Sequence, residues 1–195
     1  KLFARGTFNT TNTIIIPVTQ NNQIIGWQSR LLYNPDSLTE TEKGILGLKY
    51  DTEEKKYILP PKYLTSPGLR KGKMLYNIDN AKKSKTVVVT EGVFDATSVG
   101  RCAVATFGKQ VSDEQVSALK SYWDVIILLL DPDAKDEQNR LITRLGSSSL
   151  VIPVTLHGYK DAGEAPREEI WRQIYEQSFQ TLKLNNKQLF DNLTI

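Results

Sequence analysis

The chain has 195 residues, 39% of them hydrophobic and 24% charged, with a formal net charge of +3; it is long enough for one or two small globular domains with a real core. No run approaches the roughly 20 apolar residues that cross a bilayer, and the opening KLFARGTFNT has no signal-peptide core, so neither a membrane-spanning nor a secreted protein is expected. The one cysteine, Cys102, excludes an internal disulfide framework, and with the one histidine, His157, it excludes a zinc site built from Cys and His alone.

The chain begins at Lys1 rather than methionine, which reads as a fragment or a processed form. Thr13–Val18 (TIIIPV) and Gln23–Leu32 (QIIGWQSRLL) are β-branched apolar runs on either side of Gln20-Asn21-Asn22, the pattern of a hairpin. Residues 33–61 are polar and suit a short helix or a strand pair; KYLTSPG reads as a Pro/Gly-punctuated loop and NIDNAKK as a short helix with basic residues near its end. Up to this point, residues 1–85 carry 14 Lys/Arg against 7 Asp/Glu, a net of +7, whereas residues 86–195 carry 11 against 15, a net of −4. A basic half beside an acidic half suits a polyanion-binding surface next to a cation site, although an uneven solvated surface gives the same sums.

From Lys85 the pattern alternates. TVVVTEG, AVATFG, VIILLLD and LVIPVT read as short buried strands. Between and after them lie helices: VFDATSV, SDEQVSALKSYW opened by a capping box of Ser112 and Gln115, DEQNRLITRLG closed by Gly146, and PREEIWRQIYEQSF with Pro166 at its first turn. The tail from Thr181 reads as a last helix. Alternating strands and helices imply a parallel sheet covered on both faces, with ligands at the carboxyl ends of the strands. Cys102 is expected to be a small buried residue and His157 a loop residue, and Trp27, Trp123 and Trp171 to fill the core.

Acidic residues gather at those ends. Glu91 closes the first of the four strands, with Asp95 four residues on; Asp131-Pro132-Asp133 closes the third, and Asp161 and Glu164 follow the fourth. If the first and third strands are neighbours, Glu91, Asp131 and Asp133 converge. Clustered carboxylates repel one another unless a cation neutralises them, and hard oxygen donors suit Mg²⁺ or Mn²⁺. Taken singly, acids of this kind also serve as helix caps, Asp95 and Asp136 among them.

VVVTEGVFDATSVG followed by IILLLDPDAK resembles the Toprim domain, and HGYKDAGE resembles its last acidic loop. Upstream, IIIPVTQNNQIIGWQSRLL, PKYLTSP and KGKMLYNIDNAKK resemble the basic subdomain that precedes Toprim in bacterial and phage-type DNA primases. The resemblance implies an α/β fold: a Toprim-like parallel sheet over residues 86–165, a smaller mixed α+β basic subdomain over 1–85, and a helical segment over 166–195. It implies Glu91, Asp131 and Asp133 as catalytic residues, these three with Asp95 and Asp161 as metal ligands for Mg²⁺ or Mn²⁺, and Arg30, Lys62, Tyr63, Ser66, Lys71 and Lys109 as nucleotide or template contacts. The expected partners are single-stranded DNA, ribonucleoside triphosphates, a replicative helicase and a zinc-binding domain outside this chain, in a cytoplasmic setting with no membrane. Three departures point to a divergent member: Gly163 stands where many primases have a second Asp, Ala134-Lys135 follows the Asp-x-Asp, and Thr106-Phe107-Gly108-Lys109 replaces a Gly-Thr pair. They bear on a second metal more than on the first. A Toprim-type nuclease and a non-catalytic nucleic-acid or replisome-binding module are the alternatives. No GxxxxGK[ST] loop is present, so no helicase motor lies within the chain.

Overall fold

A computed structural model describes residues 13–191. Residues 1–12 and 192–195, and with them the start of the basic subdomain and the extreme end of the tail, lie outside the described residues. The chain forms two compact units, Lys1–Val18 with Ile24–Leu69, and Thr19–Gln23 with Arg70–Ile195.

The first unit is built on a three-stranded sheet. Strands β1 (Thr13–Gln20) and β2 (Gln23–Leu31) form the expected hairpin. Asn21 and Asn22 both take positive φ, 54° and 60°, the signature of a tight hairpin turn whose twist matches the flanking strands. After a 3₁₀ turn at Pro35–Ser37 come helix α1 (Glu40–Ile45), capped reciprocally by Thr39 and Glu42, and the strand pair β3 (Tyr50–Asp51) and β4 (Lys56–Tyr57). The 33–61 stretch thus contains both a helix and a strand pair. KYLTSPG is not wholly a loop: Tyr63–Thr65 form β5, antiparallel to β2 with Arg30 opposite Tyr63. Three residues are too few to declare a strand in sequence; the free edge of β2 recruits them. Close packing explains Gly26, where a Cβ would meet the Ser66 hydroxyl at 2.5 Å and Leu69 Cδ1 at 2.9 Å.

The second unit carries the parallel sheet. Helix α2 (Ile78–Ala81) precedes β6 (Thr86–Thr90), α3 (Val93–Val99), β7 (Ala103–Ala105) and α4 (Asp113–Tyr122). Then follow β8 (Val125–Leu128), α5 (Lys135–Leu145), β9 (Leu150–Pro153) and α6 (Arg167–Asp191). The strand order is β7-β6-β8-β9, all parallel. The alternating side chains of each strand separate the two faces. Val87, Val89, Ile126 and Leu128 point into the main core with Ile78, Leu119, Trp123, Leu141 and Leu145, beneath α2, α4 and α5. On the opposite side α3 and α6 cover β6, β7 and β9.

Trp123 is a core residue as expected, its indole N–H donating to the Ala81 carbonyl at 3.2 Å; Trp27 and Trp171 are only partly buried. Cys102 is likewise half-buried rather than enclosed, because it sits in the turn before β7 and not on the strand. His157 is exposed in a loop. The helix begun at Arg167 runs without a break past Thr181, so the tail extends α6.

Gln115 ties the unit together locally. It is 1% exposed, accepts from the Ser112 amide in the predicted capping box, and its side-chain NH₂ donates to the carbonyls of Lys71, Met74 and Thr106 at 2.9–3.1 Å. The side chain thereby joins the 3₁₀ turn at Lys71–Lys73 and Met74 to the residue that follows β7. Replacing Gln115 by Leu leaves buried polar groups unpaired and is expected to cost about 2–3 kcal/mol, roughly 5–10 °C in Tm. Thermal denaturation followed by circular dichroism checks this; an unchanged Tm would show that the network carries no net stability.

Candidate metal centre at the carboxyl ends of the strands

The β6–β8 pairing sets the site. Thr86 through Val89 lie opposite Val125 through Leu128, so both strands point the same way and end side by side. Glu91 leaves β6 one residue after its end. Leu129 and Leu130 follow β8 as buried residues, the Leu129 amide donating to the Val89 carbonyl, before Asp131 emerges. The apolar strands hold the chain ends rigidly and exclude water from one side of the acids. Carboxylate oxygens of Glu91, Asp131 and Asp133 come within 4.8 Å of one another. Glu91 is buried, Asp131 half-buried and Asp133 exposed.

Glu91 is 7% exposed, and its carboxylate accepts from the Asp131 amide at 3.2 Å. Burial, then the Asp131 charge, pushes its carboxyl up to about 7. Asp131 is also raised, by burial first and then by Asp161 and Asp133. Asp133 goes the other way because Lys109 donates to it and pairs with it; the Lys109 ammonium is raised in turn, chiefly by that same bond.

Asp95 stands beside this triad with both oxygens engaged. One accepts from the Gly92 amide at 3.1 Å, closing the N-terminal turn of α3; the other accepts from the Gly163 amide at 2.8 Å, fastening the last acidic loop to the helix. Its carboxyl rises to about 6 through burial and the charges of Asp161 and Asp131. Asp161 accepts from the Glu164 amide and shapes that loop. Two glycines are explained here: a Cβ at Gly92 would meet Asp95 Oδ2 at 2.5 Å, and one at Gly163 would lie 3.1 Å from Asp161 and 3.2 Å from Asp95. The departure at Gly163 is therefore also a matter of space.

The basic residues divide between the units. In the first, Arg30 donates to the Tyr63 hydroxyl at 2.6 Å and stacks over that ring at 5.3 Å. Lys62 is exposed, while Ser66 is buried with its hydroxyl accepting from the Trp27 amide. Lys71 is exposed in a 3₁₀ turn of the second unit. Sequence reasoning passed over Lys160, whose charge acts on Asp131; its place beside Asp161 in the acidic loop was the available signal.

Three convergent carboxylates, one of them deeply buried, fit a metal ion: hard oxygen donors, mutually repelling, with open solvent on one side. Because Glu91 titrates near 7 in the fold and near 4.5 when unfolded, the metal-free fold holds its proton more tightly and loses stability as pH rises between those values. Glu91→Gln keeps an acceptor for the Asp131 amide without the charge. Its metal-free Tm is expected to match the wild type near pH 4.5 and to exceed it by roughly 3–8 °C at pH 8, a free energy of about 1–3 kcal/mol. Added Mn²⁺ should reverse the order by stabilising the wild type alone. A Tm difference that does not change with pH would contradict this electrostatic picture.

No family model matches the chain. The DNA primase of Staphylococcus aureus (strain COL) is 33% identical over 108 residues, which are 51% of this chain and 18% of that protein; the chain thus spans under a fifth of the curated relatives it matches. Among solved structures, the Aquifex aeolicus primase with its zinc-binding and RNA polymerase domains aligns over 93% of this chain and 44% of that one, at TM-score 0.63 and 23% identity. A DnaG catalytic core aligns over 85% and 53%, at TM-score 0.61 and 22% identity. The DnaG primase catalytic domain bound to single-stranded DNA aligns over the same shares, at TM-score 0.59 and 19% identity. The chain therefore has the fold of the bacterial-type primase catalytic core and is a sequence relative of DNA primases over about half its length.

Proposed function

We propose that this chain is the catalytic core of a DNA primase, joining ribonucleotides on a single-stranded DNA template by metal-dependent nucleotidyl transfer. The observation that carries the reading is the meeting of Glu91, Asp131 and Asp133 at the ends of neighbouring parallel strands, in a chain with the primase-core fold. In the reaction, the 3′ oxygen of one nucleotide attacks the α-phosphorus of the next, the bond to the β-phosphate breaks, and pyrophosphate leaves. Glu91, Asp131 and Asp133 would hold Mg²⁺ or Mn²⁺, with Asp95 and Asp161 as further acids of the group, and a bound ion would supply charge neutralisation at the reacting phosphate.

Arg30, Lys62, Tyr63, Ser66 and Lys71 are the proposed contacts to the triphosphate and the template backbone, consistent with the net +7 of residues 1–85. We take residues 1–85 as the basic subdomain, 86–165 as Toprim and 166–195 as a helical segment. Nothing in these residues reads bases, so selection of a start site falls to a zinc-binding domain, and delivery to the template falls to a replicative helicase. Among the described residues no helix is long and apolar enough to cross a membrane; a cytoplasmic setting, in a bacterial or phage-infected cell, suits a replication enzyme.

Incubation with single-stranded DNA, labelled ribonucleotides and Mn²⁺ tests the reading. Short RNA or extension of an annealed RNA primer is expected, without sequence preference, and Asp131→Asn should reduce it at least 100-fold, on the order of 3 kcal/mol in the barrier. Lys62→Ala should instead weaken DNA binding and reduce its salt slope. Nicking of supercoiled plasmid in place of RNA synthesis would make the chain a nuclease; DNA binding with neither product would make it a binding module.

A further inference from the structure

We propose that the second unit holds a binding site for a small amphiphilic anion, a carboxylate carried on an apolar chain, at the end of the parallel sheet opposite the acidic cluster. The site is independent of the nucleotidyl-transfer reading. Its apolar part is a groove of about 350 Å³ on the sheet face away from the main core. Thr86, Val88, Val125 and Ile127 form its floor, and Trp171 and Tyr175 of α6 form a wall. Helix length leaves the groove open. α3 starts at the carboxyl end of β6 and has seven residues, about 10 Å of helix, whereas the five residues of β6 span roughly 16 Å. Thr86 and Val125 open their strands, which puts the floor roughly 15 Å from the carboxylates at the far ends.

The wall is fixed in place. The Trp171 indole N–H donates to the Val99 carbonyl at 3.2 Å, and its ring packs against Tyr175 at 5.7 Å. Ser178 follows on the same face of α6 and lines the same groove. Its hydroxyl oxygen is closed off from solvent without a hydrogen-bond partner, and it is the one such side-chain atom among the described residues. Buried polar atoms are nearly always paired, so this wall is incomplete as it stands.

The charged part is a second cavity, of about 270 Å³, lined by Asn80, Lys83 and Arg101. The two cavities share Ser84 and Cys102, so an apolar wall and a cationic wall meet at two small side chains. A chain of amides holds the cationic wall together. The Lys83 ammonium donates to Asn80 Oδ1 at 3.4 Å, and Asn80 Nδ2 donates to Asn77 Oδ1 at 2.8 Å. Asn77 Nδ2 in turn donates to the carbonyls of Arg101 and Ala103, at 3.2 and 2.8 Å. Among the described residues neither Lys83 nor Arg101 pairs with a carboxylate, whereas the neighbouring Lys82 and Lys85 pair with Asp79 and Asp124. Two such cations beside an apolar groove complement an anion with an apolar tail: the charge stays at the surface while the tail leaves water against the sheet. The volumes suit a small ligand, for which clefts run to about 300–1,000 Å³. A nucleic-acid backbone would satisfy the cations but leave the groove empty.

Isothermal titration calorimetry of the whole chain with hexanoate, octanoate and decanoate tests the site. Affinity is expected to rise roughly two- to fourfold per added methylene. Octanol, with the same tail and no charge, should bind at least about tenfold more weakly than octanoate. Lys83→Gln and Arg101→Gln should each weaken octanoate roughly three- to tenfold and leave octanol unchanged. Octanoate should also shift the tryptophan emission, a response lost in Trp171→Phe although Trp27 and Trp123 remain. Octanoate binding that is unchanged in both cation variants, or an emission shift that survives Trp171→Phe, would overturn the site. So would the absence of binding at every chain length; weaker binding of single-stranded DNA by Lys83→Gln and Arg101→Gln would then make the two cations a nucleic-acid contact. Tighter binding of the peptide acetyl-Asp-Asp-Phe than of decanoate would overturn the small-ligand reading in favour of a protein partner.

Discussion

The site depends on the parallel pairing of β6 with β8. The pairing is a consequence of two apolar runs, TVVV and VIIL, that bury both faces and therefore settle in the middle of the sheet. Because the strands run together and end together, the first polar residues beyond them are forced side by side. In Glu91, Asp131 and Asp133 those residues are acids. The free energy released by burying valines, isoleucines and leucines is what holds like charges at a separation they would not choose. The electrostatic strain is the property that a cation relieves.

Around that centre, most polar groups have a supporting task. Asp95 uses one oxygen to close α3 and the other to hold the loop of Asp161 and Glu164 in place. Gly92 and Gly163 leave room for it. Gln115 satisfies three carbonyls on the approach to the sheet. Elsewhere in the second unit, Asp79 accepts from the amides of Asn21 and Asn22, at 3.0 and 2.8 Å, at the hairpin tip. Burial alone would raise the Asp79 carboxyl, but those amides and Lys82 outweigh it and hold it below its usual range. The same residue type is thus raised at the strand ends and lowered at the hairpin, according to whether its neighbours are carboxylates or donors.

Much of this was legible in the sequence. The alternation of apolar runs with capped amphipathic stretches marked the strands and helices from Thr86 to Phe179 because each element is locally self-consistent. The acids at the strand ends were legible for the same reason, since a strand's end is a local event, and Asp95 was readable as a helix cap as well as an acid of the cluster. What escaped was non-local. Tyr63–Thr65 became a strand because β2 had an unpaired edge. The left-handed Phe107 carries no sequence signal, and the attachment of Lys109 to Asp133 joins residues 24 apart. Cys102 looked enclosed in an apolar context but sits in a turn. The unbroken length of α6 was obscured by its polar second half, where few apolar positions mark the period.

The claim at the centre is that Glu91, Asp131 and Asp133 hold the ion that serves the reacting phosphate. Crystals grown with Mn²⁺ and a ribonucleoside triphosphate, examined by anomalous diffraction at the manganese edge, test it most directly. A manganese peak is expected within coordination distance of carboxylate oxygens from Glu91 and Asp131 at least, about 2.0–2.3 Å, with the triphosphate on its open side. A nucleotide and manganese bound elsewhere on the chain, with the three carboxylates unliganded, would contradict it.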